Sequence, residues 1–384
     1  MTLVFDRAVD GPATHAMLIG VGRYADPAFT DLDCAAPAVS AMAEYLLDHR
    51  DRLERPLASI ECLLSDPKTA NGADELVVPY GSGAKLKTRV DPAIRKRGLI
   101  ETAFEDWKAR IRKGDTLVFY ACGHGVSGRE ERGLLVGEDY QRVGSTSANS
   151  QALIDVLDIV SYACALTGAA SAWVFLDACQ DFDQTLVTQI KGARAFSAFP
   201  ARTNEVAGAP RSSAVYARAA TPGRVTLAPQ GAHPPYFTKA LLFGLRHACV
   251  DEEGGRVVVS ARHFSSANLQ ELARTRWGDQ ISVTAYNTAD GPDMRLAEID
   301  PAEVKIPVQV TTNPQFRMAR MISGAATCRF TSQHFALAPG TASWRFEANS
   351  VVSALEFDFD PPPRDPALRY SVYPPCKRLE VVYD

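Results

Sequence analysis

Two short motifs each place a reactive side chain directly after a run of apolar residues. His124 lies in ACGHG (121–125), which continues the run TLVFYAC, and Cys179 lies in LDACQ (176–180), which ends the run AWVFLDAC. A cysteine thiolate is a nucleophile, and a nearby imidazole can stabilise it and later protonate a leaving amine. The two residue types therefore indicate nucleophilic catalysis if the fold brings them together.

The apolar runs predict how the two side chains would meet. A continuous apolar run is typical of a central parallel strand that is buried on both faces. The carboxyl ends of such strands form the ligand crevice of an open α/β sheet, and neighbouring strands lie about 5 Å apart. We therefore expect Cys179 and His124 to face each other across a cleft. The backbone N–H groups of Gly125 and Cys179 could then point at a developing oxyanion.

Each residue taken alone has a plainer interpretation. A cysteine after an apolar run is usually a buried core residue, and a single histidine is usually structural. The same holds for Cys122, whose simplest interpretation is a packed core thiol. His233, His247 and His263 lack partners at ligand spacing and receive no role. Only the pairing of the two motifs favours catalysis.

The rest of the pattern indicates an α/β fold in which a parallel sheet is covered by helices. Short apolar runs alternate with segments of helical periodicity from residue 15 to about 286. The pattern predicts strands at 15–22, 60–65, 116–122, 172–179, 214–219 and 281–287. It predicts helices after Asp33, at 97–112, 151–166, 236–248 and 261–275, with Asp33 and Ser260 as caps of the first and last. Residues 66–93 are predicted as an inserted loop or hairpin, and 180–212 as a mobile loop or cleavable linker.

The composition changes near residue 300. Ten of the 24 prolines fall in the last 85 residues, helical periodicity ends, and short alternating runs such as IPVQVTT, SWRFEA and ALEFDFD follow. This pattern predicts a small all-β region. We therefore place a domain boundary between residues 298 and 299.

Charge and composition exclude several classes of function. Lys and Arg number 41 against 45 Asp and Glu, a formal charge of −4, so the basic surface that binds a phosphate backbone is not expected. No apolar run approaches the ~18 residues of a membrane helix, and the first residues do not resemble a secretory signal. Eight cysteines without a C-x-x-C pair indicate reduced thiols and no zinc site. We expect a cytoplasmic protein without cofactor, nucleic acid or membrane partners.

Together the motifs resemble those of caspase-like cysteine peptidases of the prokaryotic metacaspase or orthocaspase kind. The caspase signature has a histidine about 50 residues before the catalytic cysteine, and here His124 precedes Cys179 by 55 residues. The resemblance covers roughly residues 10–290 through HAMLIGVGRY, DTLVFYACGHG, GLLVGEDY, WVFLDACQ and YFTKALLFGL. It implies a His124/Cys179 dyad, an oxyanion site at the amides of Gly125 and Cys179, and a six-stranded, mostly parallel sheet between helices. It also implies that segment 180–212 is the linker often cut on activation, with Arg194, Arg202 and Arg211 as candidate cleavage sites.

The resemblance implies a specificity for peptides with Arg or Lys at P1, the residue before the cleaved bond. Asp177 precedes Cys179 by two residues and matches the residue that forms one wall of the P1 pocket in metacaspases. The chain departs from the family at Pro37, where metacaspases have Asp, and at Cys122, where they often have Ser. Asp31 or Asp33 are candidate substitutes in the pocket, although helix capping explains them more simply.

One further departure and one match to the family concern the loops, the match being Asp139 at a common acidic position after the histidine loop. Asp181 and Phe182 replace the Ser-Gly that usually follows the cysteine, which could narrow the oxyanion loop. Asp139, in GEDY, is either a surface turn residue, the interpretation we favour, or part of a calcium site, so calcium activation stays open.

Three functions follow from these observations. The first is a cysteine endopeptidase with protein substrates, acting in a bacterial stress or defence response. The second is a catalytically silent scaffold with the same fold. In the third, the region 299–384 gates the protease by binding a small-molecule or protein activator, although a structural cap would explain that region equally well.

Overall fold

The computed structural model describes most of the first 300 residues and part of the remainder. The described ranges are 2–69, 74–80, 84–94, 98–127, 133–141, 152–178, 213–219, 231–277, 283–287, 294–312, 320–328, 334–336, 340–341, 343–348, 352–360, 369–372 and 376–381. Cys179, Asp181, Phe182 and the predicted linker with Arg194, Arg202 and Arg211 lie outside these ranges.

The chain divides by its internal contacts into two units, Met1–Lys239 with Ile281–Met294, and Ala240–Gln280 with Arg295–Asp384. The strands of the first unit, numbered in chain order, are β1 (Leu3–Asp6), β2 (Thr14–Val21), β3 (Leu57–Ser65), β4 (Asp74–Tyr80), β5 (Ala84–Val90), β6 (Thr116–Gly123), β7 (Gly125–Ser127), β8 (Gly133–Val136), β9 (Leu153–Asp155), β10 (Ser171–Ala178), β11 (Ser213–Arg218) and β14 (Thr284–Asn287). The helices that begin in it are α1 (Ala35–Asp48), α2 (Leu99–Arg110), α3 (Val156–Thr167) and α4 (Tyr236–Phe243).

A seven-stranded sheet in the order β1-β3-β2-β6-β10-β11-β14 forms the centre of the first unit. The five inner strands pair in parallel, and β1 and β14 pair antiparallel at the two edges. Six of these strands are the predicted ones, and the four-residue edge strand β1 is an addition. The α/β class and the mostly parallel sheet are therefore confirmed.

Helices cover both faces of this sheet. On one face, Trp107 of α2 and Ile159 of α3 pack with Phe119 of β6 and Val174 of β10 in one buried cluster. On the other face α1 contacts β2, β3 and β6. Because successive side chains of a strand point to opposite faces, strands buried on both sides are apolar at nearly every position. The burial of all eight residues in each of β2, β6 and β10 fits this requirement.

The smaller predictions for this unit have mixed outcomes. Strands β4 and β5 pair as an antiparallel hairpin, which confirms the hairpin interpretation of residues 66–93. The predicted cap at Asp33 is wrong: the residue before the first turn of α1 is Cys34, and no side chain caps that turn. The helix predicted over 236–248 is α-helical to Phe243 and continues as a π-helical turn, Gly244–Ala248.

Among the residues described, the second unit contains one complete α-helix, α5 (Ser266–Trp277), short π- and 3-10-helical turns, and several small sheets. Its strands are β12 (Val250–Glu253), β13 (Arg256–Ser260), β15 (Arg295–Ile299), β16 (Ile306–Thr312), β17 (Arg320–Cys328), β18 (His334–Ala336), β19 (Gly340–Thr341), β20 (Ser343–Ala348), β21 (Val352–Asp360), β22 (Arg369–Val372) and β23 (Lys377–Val381). They form the sheets β12-β13-β15, β20-β16-β23 and β18-β17-β21-β22, with β19 paired to β17. From residue 306 onward the described elements are all strands, as predicted.

A hairpin in this unit corrects one prediction. Strands β12 and β13 pair antiparallel around Gly254 and Gly255, which both have positive φ, at 58° and 82°. A two-residue hairpin turn of this kind needs positive φ at both positions, which glycine adopts without strain. Ser260 is the last residue of strand β13. Its side chain caps no helix, and α5 begins six residues later.

The hairpin also bears on the organisation of the chain. Strand β13 pairs with β15, so 240–280 groups with 295–384, whereas the sequence places it before a boundary at 298. That boundary stays a prediction.

Candidate active site

The two motifs follow neighbouring strands that end at the same edge of the sheet. Strands β6 and β10 are parallel partners, with Asp177 opposite Cys122 and Ala178 opposite Gly123 in the last two register pairs. His124 is the first residue after β6, and Cys179 is the residue bonded to Ala178, although it lies outside the described ranges. The adjacency of the two strands is thus observed, and the dyad itself stays a prediction.

Gly123 allows the backbone to pass close to its neighbours just before the histidine. A Cβ atom at this position would lie 3.0 Å from the hydroxyl of Tyr24, 3.0 Å from Cδ1 of Leu135 and 3.2 Å from Cβ of Val21. These distances are shorter than ordinary van der Waals contacts. A side chain here would therefore require these neighbours to shift by a few tenths of an ångström.

Replacing Gly123 with alanine is expected to destabilise the protein by about 1–3 kcal/mol, as overpacking of a filled core does. The new methyl group would push away the Tyr24 hydroxyl that binds the backbone of His124. Urea unfolding measures the loss of stability. An unchanged midpoint would show that the neighbouring loop yields at no cost.

Aromatic rings and backbone bonds hold His124. Its N–H donates to the hydroxyl of Tyr24 at 2.7 Å, and this hydroxyl donates to the carbonyl of Val21 at 2.6 Å. The ring centroids of Tyr24 and Phe29 lie 4.8 Å and 5.3 Å from the imidazole, and Phe29 also contacts Tyr140 edge-on at 5.6 Å. The imidazole is thus enclosed on two sides but only half-buried.

The imidazole also has a fixed hydrogen-bond partner at one nitrogen. Nε2 of His124 lies 2.8 Å from the carbonyl oxygen of Thr30. A carbonyl oxygen can only accept, so Nε2 must carry the proton. In the neutral ring Nδ1 then holds the lone pair, so Nδ1 is the basic nitrogen.

The loop after β2 supplies this carbonyl and is closed by its own bonds. The amide of Leu32 donates to the carbonyl of Gly22 at 2.7 Å, and the amide of Tyr24 donates to Oδ1 of Asp31 at 3.1 Å. Asp31 is exposed and fixes the loop through this bond. Its predicted role in the P1 pocket, and that of the exposed Asp33, stay predictions.

Gly125 presents its amide away from the neighbouring strand. The amide of Val136 donates to the carbonyl of His124 at 2.9 Å, and Gly125 stands opposite Leu135 in the antiparallel pair of β7 and β8. Hydrogen-bonded and non-hydrogen-bonded pairs alternate along such a ladder. Gly125 therefore belongs to a non-hydrogen-bonded pair, and its N–H is not used by β8.

Asp177, opposite Cys122 near the end of β10, is almost completely buried, with 2% of its surface exposed. Its Oδ2 accepts hydrogen bonds from the amide of Thr238, at 3.2 Å, and from the Thr238 hydroxyl, whereas its Oδ1 has no hydrogen-bond partner among the described residues. Burial raises the pKa of this carboxyl from 3.8 to about 7, and the bonds from Thr238 oppose the rise. A carboxyl of this kind gains from a cationic or hydrogen-bond-donating partner at Oδ1.

Buried polar groups surround Asp177. Cys122 is 1% exposed, which confirms a packed thiol at this position. A hydrogen bond from Cys122 lowers the pKa of the Cys34 thiol, against burial and the charge of Asp177. The hydroxyl of Tyr120 bonds that of Thr238. The pKa of Tyr120 is raised by burial and by the charges of Cys122 and Asp177.

Asp139 and the cysteines complete the set of predicted residues. Asp139 lies in a turn closed by the amide of Tyr140 and the carbonyl of Gly137, as favoured, but it is buried, 7% exposed, rather than on the surface. In the part of the chain that the structure describes, no three His, Cys, Asp or Glu residues are arranged to hold a metal. Six described cysteines are reduced thiols, five of them buried.

Sequence reasoning missed four contributors to this site. Tyr24 stands in the quoted run HAMLIGVGRY, so its position was visible, but its contact with His124 was not. Phe29 and Thr30 lie in a loop without a motif, and Thr30 acts through its backbone carbonyl, which any residue could supply. Thr238 lies in the quoted run YFTKALLFGL, 61 residues after its partner Asp177.

Comparison with known proteins gives distant relatives. No family model matches the chain. An uncharacterized protein of Sinorhizobium fredii (strain NBRC 101917 / NGR234), y4kE, is 29% identical over 203 residues, 51% of each chain, so this chain spans about half the length of that curated relative. Within the described ranges no helix is long and apolar enough to cross a membrane.

Solved structures similar to the chain include caspase-1 from Spodoptera frugiperda, with a TM-score of 0.42 and 12% identity over 74% of this chain and 94% of that one. They also include pro-sf-caspase-1, with a TM-score of 0.38 and 12% identity over 75% and 90% of the two chains. Protein GSU0716 from Geobacter sulfurreducens has a TM-score of 0.40 and 14% identity over 73% and 95%.

Proposed function

We propose that this protein is a caspase-like cysteine endopeptidase whose dyad is Cys179 and His124. The observation that carries the proposal is the parallel register of β6 and β10, in which Gly123 stands opposite Ala178. Cys179 is covalently linked to Ala178, so their Cα atoms are about 3.8 Å apart. Neighbouring strands lie about 4.8 Å apart. The covalent chain therefore keeps the thiol near the strand that carries the imidazole.

The orientation of His124 supports a role in proton transfer. With Nε2 bonded to the carbonyl of Thr30, Nδ1 is the nitrogen that can take a proton from the thiol and pass it on. In the proposed reaction the Cys179 thiolate attacks the scissile carbonyl, the carbon–nitrogen bond breaks, and the imidazolium protonates the departing amine. Water then attacks the thioester, with the imidazole as base, and releases the acid and the free thiol.

The oxyanion of each tetrahedral intermediate would be held by backbone amides. The N–H of Gly125 is unused by β8, which supports the predicted pairing of this amide with that of Cys179. The Gly125 amide is fixed in β7, and a fixed amide needs no reorganisation as charge develops on the oxygen.

Asp177 supports a preference for Arg or Lys at P1. Its carboxyl is buried and has one oxygen without a hydrogen-bond partner in the described part of the chain, so a guanidinium or ammonium group would relieve its desolvation. The proposed substrates are proteins, and a bacterial stress or defence role and gating by residues 299–384 remain part of the proposal. Asp31 and Asp33 would contribute to the pocket, whereas Asp181 and Phe182 would narrow the oxyanion loop.

Incubation of the purified protein followed by fragment sequencing tests the proposal. Cleavage after Arg194, Arg202 or Arg211 is expected in the wild type and is expected to be absent in Cys179→Ala, because only the wild type has the nucleophile. Adding wild-type enzyme to the Cys179→Ala protein shows whether the cut occurs between molecules. Equal fragments from both proteins would point to a contaminating protease. A wild type inert towards itself and towards Arg and Lys peptides would favour the silent scaffold.

A further inference from the structure

Arg23 is the most heavily bonded of the described side chains near the candidate active site. Its Nε and Nη2 donate to Oε1 and Oε2 of Glu138 at 2.9 Å and 3.2 Å, a bidentate pair. Its Nη1 donates to the carbonyl of Asp66 at 2.8 Å and to that of Thr69, and Nη2 lies 3.5 Å from Oδ2 of Asp74. One guanidinium thus binds four separate residues, and none of them belongs to the predicted site.

These partners lie on segments that follow different strands of the central unit. Glu138 follows β8, Asp66 and Thr69 follow β3, and Asp74 begins the β4–β5 hairpin. Arg23 itself lies in the loop after β2, between Gly22 and Tyr24. Its fork therefore ties the β2 loop to three other segments of the chain.

The tied loop is the one that orients the imidazole. Leu32 closes it onto Gly22, immediately before Arg23, and the carbonyl of Thr30 inside it accepts a hydrogen bond from His124 Nε2. The amide of Ala25 donates to the carbonyl of Glu138 at 2.8 Å, so the same partner holds the loop twice. The Thr30 carbonyl that binds Nε2 of the imidazole thus lies in the loop that the Arg23 side chain anchors, together with the backbone bonds from Gly22 and Arg23 to the Ser65 carbonyl.

The charges make this anchorage difficult to replace. The side chains of Glu138 and Asp74 are 13% and 0% exposed, and Arg23 is the cation shared between them. Burial lowers the pKa of Arg23, but the hydrogen bond and charge of Glu138 raise it above its ordinary value. Removing the cation would leave the buried carboxylate of Asp74 and the partly exposed one of Glu138 without their shared partner, which weakens the ties between the segments.

We propose that Arg23 is a positioning residue for His124. It acts through the loop 22–32, whose Thr30 carbonyl fixes the imidazole with the proton on Nε2. The expected loss of kcat on substitution of Arg23 rests on the proposed function, whereas the expected change in the tautomer of His124 does not. Lysine cannot substitute fully, because an ammonium group lacks the planar fork that binds a carboxylate with two parallel bonds.

The first test reads the imidazole directly and needs no activity. Long-range ¹H–¹⁵N NMR of histidine-labelled Cys179→Ala protein reports the tautomer of each neutral ring, and His124→Gln identifies the signal. We expect a single Nε2–H tautomer in the Cys179→Ala background and a mixture of tautomers after Arg23→Gln.

Arg7→Gln is the matched control for this test. Arg7 makes three side-chain hydrogen bonds, to the Leu57 and Arg50 carbonyls and to Asp51, against four for Arg23, and its side chain is 29% exposed against 21%. It should lower stability and leave the His124 signal unchanged.

The second test is kinetic and uses the enzyme with Cys179 intact. Arg23→Gln should lower kcat about 10- to 100-fold, as small misplacements of catalytic groups do, with little change in KM. Glu138→Gln should give a similar loss, and the double variant should be no worse than either single one. Arg23→Lys should restore part of kcat and of the tautomer signal.

The outcomes are distinguishable. A folded Arg23→Gln protein with the parental tautomer overturns the proposal, whatever its kcat. If Arg23→Gln does not fold, Glu138→Gln and Arg23→Lys decide by the same signal. A mixed tautomer together with an inactive wild type would support the positioning role and reject the peptidase.

Discussion

Replacing His124 with alanine is expected to lower kcat/KM for Arg and Lys peptides by about 10²–10⁴-fold, the range that general acid–base catalysis contributes. Without the imidazole, nothing described near the end of β6 would deprotonate the thiol or protonate the departing amine. KM should change little, because the ring contacts Tyr24, Phe29 and Thr30 rather than the buried carboxyl of Asp177. Initial rates with fluorogenic peptides measure both constants.

His247→Ala is the matched control for this substitution. His247 also binds a backbone carbonyl, that of Glu303, through Nδ1 at 2.6 Å, but it receives no catalytic role. It should lose stability and keep kcat/KM. Peptidase activity that survives His124→Ala would reject the dyad, and equal losses in both histidine variants would indicate general destabilisation instead of chemistry.

The strands that deliver the two motifs could be predicted from sequence for a physical reason. A central parallel strand is buried on both faces, so TLVFYAC and AWVFLDAC had to be continuously apolar, and nothing else in the chain combines such runs with terminal His and Cys motifs. The runs predicted that the two motifs would meet, because the carboxyl ends of parallel strands form one edge of the sheet. The resemblance pointed the same way, and the observed pairing of β6 with β10 agrees with the prediction.

The contacts around His124 could not be predicted because they depend on loop backbone. Thr30 contributes a carbonyl oxygen, which leaves no trace in the residue type, and Arg23 resembles any surface arginine in the sequence. Pattern reasoning also missed the hairpin that ends at Ser260 and assigned this residue as a helix cap instead. The β-branched side chains of Val257–Val259 favour a strand, and Gly254 with Gly255 supplies the hairpin turn.

Asp177→Asn is expected to separate two roles of this buried carboxyl, which are binding of a cationic substrate side chain and a pH-dependent contribution to stability. If Asp177 binds a cationic P1 side chain, the variant loses a buried charge pair, which costs about 2–5 kcal/mol, or about 30- to several-thousandfold in kcat/KM for Arg and Lys peptides. Asparagine has the same shape and can still accept the bonds from Thr238. The fold should therefore survive the substitution.

The same variant has a defined effect on stability. The pKa of Asp177 is about 7 in the folded protein against an ordinary 3.8, so the folded state holds a proton that the unfolded state releases. Its contribution to stability is complete below the unfolded pKa and is lost as pH rises through about 7. At about 1.4 kcal/mol for each pKa unit, the contribution is on the order of a few kcal/mol.

Urea unfolding at about pH 5 and about pH 8 measures this effect, because the asparagine side chain of the variant does not titrate. The wild type should lose more stability than Asp177→Asn between these two conditions, and the variant should be the more stable protein at the higher pH. If the variant is more stable but no longer cleaves Arg and Lys peptides, the Asp177 carboxyl contributes to substrate binding although its burial lowers the stability of the folded protein. A variant with wild-type kcat/KM would remove Asp177 from the P1 pocket, since a carboxyl that contacts a cationic substrate cannot become neutral without loss of affinity.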